Sequence, residues 1–483
     1  MGRGLARRAL SLGAAKAFDY GLQFLLPVVL TRCLDAESFG QYRLLWLVAG
    51  TVMAVITMAV PGSLFYFLPR SDGADKRLYI NQTVLFLALA GTLAACIVGP
   101  WNPWLPEKIG ILSSQGALVP AFVLFWVVAS LLDVLPTAEE RVAWQAWATV
   151  GLSALRAVAL SLAAVLTGDL GAVLIVLLAF VTCKFALLLV YIGQYHGFHG
   201  PVMRWSAFSD QLRHATPFVI AAALYGLQAQ ADQWVAVGVF SMAVFASFSI
   251  GAVLAPLVTL CRQSVSLVFL PLMSRLEADG DIRGMLDLNS RANVMVATLL
   301  YPLLAFVFVF AEEVVTVVYT AQYIDAAPVM RVYIVGLAAL VIHFSGIMML
   351  LREGTFQMCM SFVVLMISIA LSWVGAHQWG PAGAAVGSVT AIYLDRIATL
   401  HRIAVRSRVG WRHLQDWRAQ GSLLLFAAIG AAFAWELVSV YFATHGPIVR
   451  LAVGTATVAG VYGLLYWIFR LGGWVKPAPK PVA

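Results

Sequence analysis

A chain of 483 residues that is 61% apolar and 11% charged cannot clothe a water-soluble globule, whose surface needs far more charge. Its net charge of +8 does not point to nucleic acid, because the basic residues sit in short loops between apolar runs. Cys33, Cys96, Cys183, Cys261 and Cys359 stand singly, without disulfide or zinc spacing, and read as packing residues.

A bilayer core of about 30 Å takes about 20 apolar residues per helix. Runs of that length predict an all-α polytopic membrane protein of about 14 transmembrane helices. They fall near 14–31, 42–62, 79–99, 117–136, 145–167, 170–192, 216–238, 241–262, 291–311, 328–350, 355–376, 381–404, 421–443 and 447–469. The basic segment 1–16 leads into the first run without a small-residue cleavage site, and so predicts a retained first span. Lys and Arg accumulate in cytoplasmic loops. With the N-terminus inside, 22 of the 31 basic residues fall in cytoplasmic segments and only Arg32 and Lys108 in outer loops. Both termini are therefore expected in the cytoplasm.

Taken in chain order, the spans carry polar residues that hydrocarbon does not tolerate cheaply, about 2.5–3.5 kcal/mol for a charge at mid-bilayer. Asp19 and Gln23 lie on the first, Arg43 on the second, Asp133 on the fourth, Arg156 on the fifth and Lys184 on the sixth. Gln228, Gln230, Asp232, Gln233, Tyr225 and Trp234 lie on the seventh, Arg262 on the eighth, Arg331 and His343 on the tenth, Asp395 and Arg396 on the twelfth, and Glu436 on the thirteenth. Arg43, one turn into its helix, either snorkels outward or faces a polar interior. Lys184, Arg331 and Arg396 suit ion pairs or helix ends as well as a binding role, and His343 suits helix packing or proton relay. Pro27, Pro217 and Pro256 permit bends or static kinks. Trp101, Trp104, Trp205, Trp411 and Trp417 fall near expected interfaces, as anchors.

The chain also repeats. Ser63-Leu64-Phe65-Tyr66-Phe67-Leu68-Pro69 and Ser266-Leu267-Val268-Phe269-Leu270-Pro271 end the second and follow the eighth span, each followed by a basic residue and an acidic, glycine-containing stretch. Phe39-Gly40-Gln41-Tyr42 matches Phe245-Ala246-Ser247-Phe248, and Gly168-Asp169-Leu170-Gly171-Ala172-Val173 resembles Gly380-Pro381-Ala382-Gly383-Ala384-Ala385. Three matches in one order predict two six-helix lobes of like orientation. They are 1–192 and 216–404, joined by a cytoplasmic linker 193–215. Residues 405–483 then hold a basic linker, helices thirteen and fourteen, and a cytoplasmic tail.

Thr31-Arg32-Cys33-Leu34-Asp35-Ala36-Glu37-Ser38-Phe39-Gly40-Gln41-Tyr42, Ala231-Asp232-Gln233 with Val237-Gly238 and Phe248, and Tyr319-Thr320-Ala321-Gln322-Tyr323-Ile324-Asp325-Ala326-Ala327-Pro328 resemble polysaccharide-transport flippases. These include O-antigen and exopolysaccharide flippases of the multidrug/oligosaccharidyl-lipid/polysaccharide exporter superfamily. Relatives usually have glycine at the position of Thr320 or Ala321. The resemblance spans about residues 10–405. It implies a bacterial inner-membrane transporter, not an enzyme, that moves a polyprenyl-diphosphate-linked oligosaccharide to the outer leaflet by alternating access. It implies no cofactor and no metal, and as partners the lipid-linked substrate, the bilayer, and a polymerase or glycosyltransferase of a polysaccharide assembly system. Nucleic acid is not expected.

Such a headgroup asks for arginines, which hold phosphate bidentately, and for amides and rings to meet sugar hydroxyls. The expected substrate contacts are Arg43, Arg156, Arg262, Gln23, Gln228 and Gln233, with Asp19, Asp232 and His343 as ion-coupling candidates. Two other readings compete. A cation-coupled drug exporter of the same superfamily would favour an acidic cavity. A membrane glycosyltransferase or polymerase would use Asp35-Ala36-Glu37 to hold a metal, yet the longest outer stretches, near 100–116 and 312–327, are short for an acceptor site. His196-Gly197-Phe198-His199 is a weak metal motif, and no phosphate-binding Gly-Lys-Ser/Thr loop for ATP is present.

Overall fold

The computed structural model describes residues 2–57, 60–197 and 200–471. His199, Lys476 and Lys480, and with them the expected tail, lie outside the described residues.

The apolar runs fold as helices because a backbone in hydrocarbon must satisfy its own hydrogen bonds. In chain order they are α1 (Gly2–Cys33), α2 (Ala36–Val55), α3 (Val60–Phe67), α4 (Gly73–Val98), α5 (Leu118–Ala129), α6 (Val142–Thr167), α7 (Leu170–Tyr195), α8 (Trp205–Gln228) and α9 (Ala231–Val239). There follow α10 (Met242–Gly251), α11 (Ala255–Ala278), α12 (Ile282–Val309), α13 (Ala311–Val318), α14 (Ala326–Leu340), α15 (Ser345–Leu350), α16 (Gly354–Ser407), α17 (Trp417–Tyr441) and α18 (Pro447–Leu471). Among the described residues nine helices are long and apolar enough to cross a membrane, or ten with the bent pair α2–α3 as one span. On α6, Val158, Leu162, Val165 and Leu166 stay exposed, an apolar face that needs lipid rather than water. The chain is a multi-pass membrane protein.

The expected fourteen exceeds that count for physical reasons. The seventh run breaks between α8 and α9 and the tenth between α14 and α15, leaving shorter pieces, whereas the eighth still counts as one span over Met242–Ser266, and α1, which carries the first run, falls outside the count. The eleventh and twelfth runs form the single 54-residue α16, bent where Gly380 adopts φ 66° and ψ −152°. Gly168, at the matching repeat position, closes α6 at φ 63°. Both are left-handed conformations that glycine alone adopts without strain. Asp169 then starts α7 by accepting the Ala172 N–H at 2.9 Å. The repeat fails in one detail: Ser63–Pro69 does end a helix, whereas Ser266–Pro271 lies inside α11, which runs on to Ala278.

Two compact units divide the chain, residues 1–246 and 247–483. In the first, α1 packs along α6, α4 against α5, α5 and α6 against α7, and α8 against α2 and α3. A buried polar knot holds the α3–α4–α8 corner. There Gln82 Nε2 donates to Gln211 Oε1 at 2.7 Å, and Gln211 Nε2 donates to Ser63 Oγ at 2.7 Å and Thr83 Oγ1 at 3.0 Å. In the second unit α11 packs on α12, α14 on α16, and α17 on both α12 and α18. Phe310 lies fully buried among Ala431, Ala434, Val438 and Val458 of these last two helices.

Candidate functional site

Asp19 and Gln23 stand four residues apart on α1, and Ser153 and Arg156 three apart on α6, spacings that put each pair on one helix face. Where α1 meets α6 these faces close on one carboxylate. Arg156 Nη2 lies 3.2 Å from Asp19 Oδ1, to which Ser153 Oγ also donates at 2.6 Å. Gln23 Nε2 donates to Oδ2 at 2.7 Å. Both carboxylate oxygens are thus occupied, and the Arg156 side chain is only 11% exposed. Pairing of this quality is what allows a charge to sit among apolar helices.

From Arg156 the polar string continues through aromatic rings. Its guanidinium lies 6.0 Å from the Trp46 ring of α2, and Trp46 meets Trp126 of α5 edge to face at 5.0 Å. Lys184 Nζ of α7 lies 5.1 Å from the Trp126 ring and 2.7 Å from Asp133 Oδ2. Cations over tryptophan faces are held by the ring quadrupole. The first unit therefore contains acid, cation, two touching indoles, cation and acid in series. Lys184 is 8% and Asp133 57% exposed, so the second carboxylate opens outward while its cation stays inside. Arg43 lies with Arg156 within electrostatic reach of Tyr42.

The expected amide cluster on spans one and seven divides. Gln23 serves Asp19. Gln230, at the α8–α9 break, accepts from Thr51 Oγ1 at 2.9 Å, and Trp234 Nε1 donates to that same hydroxyl at 2.9 Å. Gln228 and Gln233 are half-buried and make no side-chain hydrogen bond among the described residues. Asp232 is buried, its Oδ1 accepting the neighbouring Gln233 N–H at 2.8 Å.

Arg262 and His343 come together in the second unit, around the α14–α15 break. Arg262 Nη1 donates to the Leu340 carbonyl at 2.8 Å. Asn289 and Asn293 Nδ2 donate to the His343 carbonyl at 3.1 and 3.3 Å, and the His343 N–H donates to Asn293 Oδ1 at 3.0 Å. The backbone groups freed by the break are thus met by α11 and α12. The adjoining cavity, lined by Arg262, Asn289, Asn293 and His343, measures about 10 Å³, room for about one water. Arg331 pairs with Glu312 at 3.0 Å and Arg396 with Asp395 at 3.6 Å. Glu436 is exposed on α17.

Sequence reasoning passed over Ser153, Thr51, Trp46, Trp126, Asn289 and Asn293. The i, i+3 spacing of Ser153 with Arg156 and the i, i+4 spacing of Asn289 with Asn293 were the available signals. Asp35 begins α2 from an extended conformation without a side-chain cap. Among the described residues no group of three metal-ligating side chains converges.

Outside the spans, Glu139 is held by three side chains. His196 Nε2 lies 2.7 Å from Oε1, Tyr191 donates its hydroxyl to Oε2, and Arg141 Nε stands 3.9 Å away. Burial pushes the Glu139 carboxyl up, but the hydrogen bonds from His196 and Tyr191 and the charges of His196 and Arg141 together hold it below its ordinary value.

Solved structures share this fold of helices broken in mid-run, with paired charges among apolar spans. A lipid II flippase MurJ in an inward closed conformation superposes with a TM-score of 0.75 at 13% identity, over 95% of this chain and 99% of that one. An outward-facing multidrug resistance MATE family transporter of the MOP superfamily gives 0.59 at 13%, over 83% and 95%. A MOP superfamily transporter from Pyrococcus furiosus gives 0.55 at 13%, over 83% and 95%. No curated protein matches the sequence significantly. The model of the polysaccharide biosynthesis protein family matches residues 5–277, more than half the chain, and the protein belongs to that family.

Proposed function

We propose that the protein flips a lipid-linked oligosaccharide, carried on a polyprenyl diphosphate, from the cytoplasmic to the outer leaflet of a bacterial inner membrane. The observation that carries this reading is the string from Asp19 through Arg156, Trp46 and Trp126 to Lys184 and Asp133. Its two cations suit a diphosphate, and its indoles and the Gln23 amide suit sugar faces and hydroxyls. Asp19 would release Arg156 to an incoming phosphate and take up a coupling cation in exchange. The resemblance of the sequence to polysaccharide-transport flippases and the fold likeness to a lipid II flippase support the same reading. The alternating movement would involve the repeat-related lobes 1–192 and 216–404, with both termini in the cytoplasm, and a polymerase or glycosyltransferase would take the product.

Arg43 remains a candidate substrate contact, as do Gln228, Gln233 and Arg262. Asp232 and His343 remain candidates for coupling. A second reading, a cation-coupled drug exporter, draws on the likeness to a multidrug transporter and on the half-open Asp133 carboxylate beside Trp126. Inverted membrane vesicles separate the two. With a labelled lipid-linked oligosaccharide, Arg156→Gln and Lys184→Gln should each slow translocation at least about tenfold, as loss of one charge-assisted contact predicts, while inserting normally. Wild-type rates in both variants would refute the assignment. Efflux of cationic dyes, with no movement of the sugar lipid, would establish the second reading instead.

A further inference from the structure

The segment joining α16 to α17 is built unlike an idle connection. Arg408 closes α16 in a left-handed conformation at φ 55°, and a single 3₁₀ turn, Trp411–His413, follows. The inward side is pinned. Leu414 is fully buried with Met273, Met285, Phe344 and Ile403. Gln415 accepts from Asn293 Nδ2 at 3.0 Å and donates to the Ser290 carbonyl at 3.3 Å, and the Asp416 N–H donates to Ser290 Oγ at 2.8 Å.

The outward side presents Arg408, Trp411, Arg412, His413, Trp417 and Arg418, all exposed. Trp417 Nε1 donates to the Trp411 carbonyl at 2.9 Å, and His401 packs on Trp411 at 6.2 Å, so the indoles are fixed in place. The nearby Arg402 and Arg406 share the one carboxylate of Glu353, at 2.8 and 3.1 Å. Asp416, the one acid within 408–418, spends its carboxylate capping α17 through the Ala419 N–H at 2.9 Å. Arg408 and Arg412 form no ion pair among the described residues. Net positive charge thus concentrates on a pinned collar between two helices long and apolar enough to cross the membrane.

We propose that residues 408–418 form a docking site for anionic phospholipid headgroups, with Arg408 and Arg412 on the phosphate and Trp411 and Trp417 seated in the interface. Basic residues beside an anionic surface and tryptophans at headgroup depth are the two groups such a boundary attracts, and here they interleave on one pinned segment. The site is independent of the transported substrate, so it stands or falls apart from the flippase reading.

Native mass spectrometry of the full-length protein, titrated with phosphatidylglycerol and separately with phosphatidylcholine, tests it. Phosphatidylglycerol should bind more tightly. Each arginine removed should weaken it about fivefold, and Arg408→Gln with Arg412→Gln about 25-fold, leaving phosphatidylcholine unchanged. Arg408→Lys with Arg412→Lys should keep most of the affinity. Because Arg408 also closes a helix, Arg412→Gln alone, on an exposed turn, must show its fivefold share. Unchanged phosphatidylglycerol binding in Arg412→Gln overturns the proposal. So does an equal loss from Arg283→Gln, exposed on the first turn of α12, which would mean diffuse attraction, or full displacement by inorganic phosphate, which would mean a plain anion trap.

Discussion

Arg156 reaches Asp19 across the α1–α6 contact, its Nη2 3.2 Å from Oδ1, while Ser153 and Gln23 fill the rest of the carboxylate. Removing one partner of a buried pair strands the other, at about 3–5 kcal/mol, whereas replacing both with apolar groups costs far less. With Asp19 partly open, Asp19→Ala should cost toward the lower end of that range, Asp19→Asn less, and Asp19→Ala combined with Arg156→Met less than Asp19→Ala alone. Thermal unfolding in detergent gives the order. A double variant as unstable as the sum of its singles would show that the two side chains do not act as a pair.

Thr320 carries φ 91°, a conformation that a β-branched residue adopts only under strain of about 1–3 kcal/mol. It is one of the two positions at which relatives usually have glycine. Thr320→Gly is expected to stabilise the protein, by about 1 kcal/mol after glycine's greater unfolded-state entropy is set against the relieved strain. A lowered midpoint of thermal unfolding would contradict this.

Asn293 serves three groups: the N–H and carbonyl of His343 and the side chain of Gln415. Each buried group left without a partner costs about 1–3 kcal/mol. Asn293→Leu should therefore destabilise by roughly 2–4 kcal/mol, more than Asn289→Leu, whose side chain serves the His343 carbonyl alone. Equal losses, read from unfolding curves, would argue against this role for Asn293.

Because Glu139 is held below its ordinary value of 4.5, its charged form is favoured by folding. The stability it contributes is full above that value and drains away as pH falls below it. The wild-type unfolding temperature should thus drop more steeply between about pH 5 and pH 3 than that of Glu139→Gln. Parallel curves would remove Glu139 as the source.

The course of the chain was legible because burial in lipid imposes long apolar runs, and each expected span falls on helix. Where those helices break was not. The interruption at 229–230 falls among Gln228, Gln230, Asp232 and Gln233, and that at 341–344 beside His343, but polar residues such as Gln23 and Arg156 stand in unbroken helix. The side chains that meet the breaks, Thr51 at Gln230 and Arg262 at the Leu340 carbonyl, come from distant sequence. Partnership was hidden for the same reason. Asp19 and Arg156 are separated by 137 residues, and their individual charges flagged them, but composition could not say that each answers the other. Lys184 was visible as a charge, whereas the Trp46–Trp126 contact that ties it to Arg156 arises only when α2 and α5 pack. Thr320 could be flagged only against the glycine of relatives, and its strained backbone gives that departure a physical meaning.

Phe310 is sealed by Ala431, Ala434, Val438 and Val458, and the buried Glu313 meets Arg450 at 2.6 Å. A stop codon ahead of Trp417 would leave Phe310 to lipid, which an apolar ring tolerates, but would strip Glu313 of Arg450, its one ion-pair partner among the described residues. Helices α17 and α18 are thus no detachable appendix, and a shortened version of this protein would carry a stranded carboxylate at 313, at about 3–5 kcal/mol, unless that residue were replaced as well.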